Sequence, residues 1–84
     1  MATHCEMGLA KVVADLALFL EFSNENVLNP DAAMQALEQS AAELQRLSPD
    51  DKHHIAAIFV ELSRQYDAEN AAFISHLPQT LGLR

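Results

Sequence analysis

The chain has 84 residues, half of them apolar, with two glycines and three prolines, and twelve acids against five bases give a formal net charge of −7. This length suits one helical domain with a modest core, and so few turn residues speak against a β-sandwich. The acids are spread along the whole chain, which argues against binding DNA, RNA or anionic lipid, since each needs clustered Lys and Arg.

Thr3-His4-Cys5-Glu6 has the spacing of a capping box and predicts a first helix over about 4–22. Leu9, Val12, Val13, Leu16, Phe19 and Leu20 step by three and four, and Leu18 and Phe22 broaden the same stripe. This stripe is the expected core face of the helix. Gly8 costs about 1 kcal/mol relative to alanine inside a helix. The run from Leu9 to Phe22 contains Lys11, Asp15 and Glu21, so it is too charged to span a membrane and does not read as a signal peptide. A cytoplasmic location is expected.

Residues 23–29 form the connection, with Ser and Asn competing for backbone hydrogen bonds and Val27 and Leu28 tucked under the loop. Asn29-Pro30-Asp31 and Ser48-Pro49-Asp50-Asp51 then each set a capping residue before a proline at the first helical position, with acids in the first turn. These strings predict a second helix over 30–47 and a third from 49. The second helix carries the stripe Met34, Leu37, Ala41, Leu44 and Leu47; the third carries Ile55, Ile58, Phe59, Leu62 and Tyr66. The short turn between them predicts that the two are antiparallel neighbours.

After Tyr66 two readings stand. One continuous helix from 49 to His76 would be about 42 Å long and overhang its neighbours, leaving Phe73, Ile74, Leu77 and Leu81 facing water. A break at Asp67 would instead start a short fourth helix over 67–77, folded back as a lid, with Pro78 ending the helix and 78–84 forming a tail. The expected fold is therefore all-α: one domain over 1–84, a small antiparallel three-helix bundle with either a long third helix or a short fourth helix after Asp67.

Chemistry is hard to place on this chain. His4, His53, His54 and His76 lack the paired spacing of a zinc site, and no His-x-x-x-His or Cys-x-x-Cys occurs. Cys5 is the single cysteine, so no disulfide can form within the chain. Asp50 and Asp51 are accounted for by the helix dipole. No glycine-rich phosphate loop or nucleophile motif is present, and a domain of this size leaves little room for a cleft. No cofactor, no metal and no enzymatic activity are expected.

The function that fits is a small acidic protein–protein interaction module. The first form is an immunity- or antitoxin-type inhibitor that occludes a target protein, with its acidic surface speeding association with a basic partner. The alternative is a self-associating structural or regulatory subunit, a homodimer. The surface expected to serve either comprises Glu61, Tyr66, Glu69, Phe73, Ile74, Leu77 and Leu81.

Overall fold

Each helix begins where a side chain takes up amide groups that the helix itself leaves unbonded. In the computed structural model, which describes residues 3–24 and 26–83, Thr3 and Glu6 form the expected capping box. The Thr3 hydroxyl accepts the Glu6 amide at 3.0 Å, and the Glu6 carboxylate accepts the Thr3 amide at 2.9 Å. Asn29 accepts from Asp31 and Ala32, Ser48 from Asp51, and Asp67 from Asn70. Four helices result: α1 His4–Phe22, α2 Pro30–Leu44, α3 Pro49–Ser63 and α4 Ala68–Thr80. Among the described residues there is no strand, and no helix is long and apolar enough to cross a membrane. Glu25 of the expected connection and Arg84 of the expected tail lie outside the described residues.

The boundaries differ from expectation in three places. Helices α2 and α3 stop three residues early. The amides of Arg46 and Leu47 reach Glu43 and Leu44, and those of Arg64, Gln65 and Tyr66 reach Glu61, Leu62 and Ser63. These three-residue steps tighten the last turn into a corner. The Asp67 cap then starts a separate α4, so the fold-back reading holds and the 42 Å helix does not form. Pro78 does not end α4: its missing amide removes one bond, to the Ile74 carbonyl, and the helix runs two residues further, to Thr80.

A Schellman turn ends α4 instead. Leu83 donates to Pro78 at 2.7 Å and Gly82 donates to Gln79 at 3.1 Å, with Gly82 at φ 71°. The Gln45 amide group donates to the carbonyls of Leu81 and Gly82 at 2.7 and 2.6 Å, tying the end of α2 to the end of α4. The positive φ at position 82 is what favours glycine, and a β-carbon there would also push aside the Gln45 amide that makes these two bonds.

The core sits between α3 and α4, which form the most extensive helix pair, and α1 closes it from a third side. Phe59, Leu62, Ile74 and Leu77 are its fully buried centre, with Ala56, Ile58, Leu81 and Leu83 around them. The residues expected to form a tail thus include two buried leucines. Ser63 is buried among them and its hydroxyl donates to the Val60 carbonyl, so no polar atom is stranded there. Helix α2 packs chiefly on α1 rather than on α3, against the expectation from the short turn, and Ala33 is its one buried residue among those described. Val27 is exposed rather than tucked under its loop. The Asn24 side chain accepts the Asn26 and Val27 amides, which holds that turn open to water.

Candidate interaction surface

Helix α1 is rotated from expectation: of the expected stripe, Val13, Leu18 and Leu20 are half-buried, with Val13 and Leu18 packed against the core, while the rest is turned out. Its buried residues are Ala10, Ala14 and Ala17, spaced by four and three, while Leu9, Val12, Leu16 and Phe19 stand 50–65% exposed. The reason lies in the size of the side chains. The large side chains of α3 and α4 already fill the centre, and an alanine stripe lets the α1 backbone approach them closely. Leu9, Val12, Leu16 and Phe19 are left on the opposite side. At 100° per residue, Cys5, Gly8, Leu9, Val12, Leu16 and Phe19 lie within about 100° of arc, and none of them is charged. On a chain of net charge −7, this charge-free strip is an exposed apolar patch of the kind that marks interaction sites.

Two polar clusters flank the strip. On one side Asp15 accepts from Tyr66 at 2.5 Å and from Lys11 at 3.0 Å, and the Lys11 ammonium lies 5.1 Å from the centre of the Tyr66 ring. The bonds from Tyr66 and Lys11 hold the Asp15 carboxyl below its usual range. Burial, followed by the bond to Asp15, pushes the Tyr66 phenol up. Tyr66 therefore pins the α3–α4 corner to α1.

On the other side the strip borders an apolar groove of about 310 Å³ between α1, the end of α2 and the start of α3, lined among others by Leu9, Val13, Leu44, Ile55 and Phe59. The domain has room for a cleft after all. Glu6 meets His54 at its mouth, at 2.5 Å. Among the described residues no three His, Cys, Asp or Glu side chains are grouped to share a metal ion.

Glu6 is the most perturbed acid. The Thr3 amide, then His54, then the Thr3 hydroxyl lower its pKa from 4.5 to about 2. A depressed folded-state value stabilises the fold fully above the unfolded value, and that stabilisation disappears as pH falls through the folded one. The wild-type melting temperature should therefore fall more steeply between pH 4.5 and 2 than that of Glu6→Gln. Parallel slopes in a calorimetric pH series would show that Glu6 is not held in this way.

The residues expected at the interface scatter. Glu61 and Glu69 are exposed on α3 and α4, Tyr66 is half-buried and engaged with α1, and Phe73 is half-buried with its ring edge-on to Phe22 at 5.6 Å. Ile74, Leu77 and Leu81 are in the core. They belong to the fold's own packing, because α4 folds back, and in this conformation no partner reaches them. The α1 strip is what sequence reasoning missed. The signal was present as the second, alanine stripe at 10, 14 and 17, which makes α1 apolar on two faces.

Comparison with family models, curated proteins and solved structures finds no match to this chain. The reading of its function therefore rests on its own residues.

Proposed function

We propose that this chain is a non-enzymatic protein–protein interaction module whose working surface is the apolar strip of α1. The observation that carries the proposal is the strip itself: Leu9, Val12, Leu16 and Phe19, exposed on one helix face without a charge among them. A soluble monomer gains nothing from such a face, and water penalises it. An immunity- or antitoxin-type inhibitor is one form of this module. In that form α1 supplies the apolar anchor, and exposed acids such as Glu61 and Glu69 draw in a basic target. A self-associating subunit is the other form, and the spacing along the strip favours it, as developed below.

Photo-crosslinking in the native cell tests the module. A benzophenone amino acid replacing Leu16 should give a discrete protein adduct, whereas the same group replacing Glu38 on the exposed side of α2 should not. Absence of an adduct from position 16 would exclude the strip as a binding surface.

A further inference from the structure

We propose that the strip is covered by a second copy of this chain, with the two α1 helices antiparallel about a two-fold axis level with Ala14. This rests on reading the strip as a binding surface and names its occupant.

The spacing is the first argument. Leu9, Val12, Leu16 and Phe19 step by three, four and three, the interval of a helix-pair seam. That order is the same read in either direction. An antiparallel copy therefore sets Leu9 against the partner's Phe19 and Val12 against the partner's Leu16, and every seam position meets another. A C2 contact requires this self-complementarity of one patch. Beside the seam, the Phe22 backbone of one copy comes level with Glu6 of the other, about 3 Å short of Gly8, and the lean of helical side chains toward their own N-terminus carries the ring on toward Gly8. No neighbouring atom lies within 4 Å of where a Gly8 side chain would begin, so the ring has space to enter. The chain's own packing gives that helical glycine no role.

Area and charge agree. The four seam residues with Phe22 expose on the order of 500 Å² per copy, so complete covering would bury at most about 1,000 Å², which just reaches the threshold for a specific interface. The charges nearest the axis, Lys11 and Asp15, neutralise each other at 3.0 Å. Antiparallel alignment also opposes the two helix dipoles favourably, which a parallel pair does not. The remaining charge acts against association: two copies of −7 each repel at long range. Salt screens that repulsion, so self-association strengthens as salt rises, while capture of a basic target weakens.

The single native cysteine reads the orientation directly. In the antiparallel pair the two Cys5 residues lie nine residues either side of the axis, about 27 Å apart along it; in a parallel pair they are adjacent. A nitroxide on Cys5, measured by pulsed dipolar spectroscopy together with sedimentation, should give twice the 9.2 kDa mass and a distance of about 25–40 Å, label arms included. Leu16→Glu should weaken association at least about tenfold with an unchanged helical circular-dichroism spectrum. Dipolar coupling at short range would overturn the antiparallel pairing, and retention of the dimer in Leu16→Glu would overturn the seam. A purified protein that stays at the protomer mass at millimolar concentration and about 0.5 M salt overturns self-pairing altogether. In that case a cellular adduct from position 16 with some other mass leaves the interaction module standing, and no adduct removes both.

Discussion

Phe59→Ala should destabilise the fold by about 3–5 kcal/mol, while Phe19→Ala should cost less than about 1 kcal/mol. Both residues lie on apolar stripes at helical spacing, and the sequence offers no ground for separating them. Phe59 is 1% exposed at the centre of the core, however, whereas Phe19 is 50% exposed on the outer face of α1. Emptying the first site leaves a cavity bounded by packed side chains, and emptying the second leaves water. A chain of this length has about 4–13 kcal/mol of stability in total, so the first substitution removes a large share of it. Urea denaturation, run dilute enough that the protein is a single protomer, measures the difference. Equal losses from the two substitutions would mean that α1 faces the core with its bulky stripe, and the interaction surface would disappear with it.

The double substitution Leu81→Ala with Leu83→Ala should abolish cooperative folding near body temperature. Each leucine is 2% exposed, and truncating a buried leucine costs about 2–5 kcal/mol. The two losses together approach the whole stability of the chain. The Schellman turn aims both side chains inward, and the Gln45 bonds hold that turn against α2. A scanning-calorimetry trace should lose its transition, whereas Thr80→Ala, at an exposed position one residue earlier, should retain it. A double variant that melts within a few degrees of wild type would make residues 81–83 the loose tail that composition suggests.

Much of the helical layout was legible because local chemistry decides it. Four side-chain caps, two of them followed by proline, mark four helix starts. The Asp67 cap was the weakest of these signals, since it has no proline behind it and a continuous apolar register runs across it. Helix ends were less legible. The corners after Leu44 and Ser63 are made of three-residue backbone steps that no single residue type announces. Leu81-Gly82-Leu83 did carry a signal, a glycine two residues past a helix end between two apolar neighbours, but Pro78 masked it. The choice of interface residues suffered most: Ile74, Leu77 and Leu81 looked surplus to a three-helix domain, and the fold takes all three inside.

What the sequence determined by itself was the class of object: an all-helical chain, its helix starts, and its diffuse acidity. Each of these depends on interactions within a few residues or on composition alone. What only the tertiary structure decided was which way α1 faces. Helix α1 offers an alanine stripe and a leucine–valine–phenylalanine stripe on opposite sides, and nothing local ranks them. The ranking comes from α3 and α4, whose own large side chains leave room for small neighbours. The close-packed interior therefore takes the alanines, and much of the stripe that looked like core is left exposed on the outer face of α1.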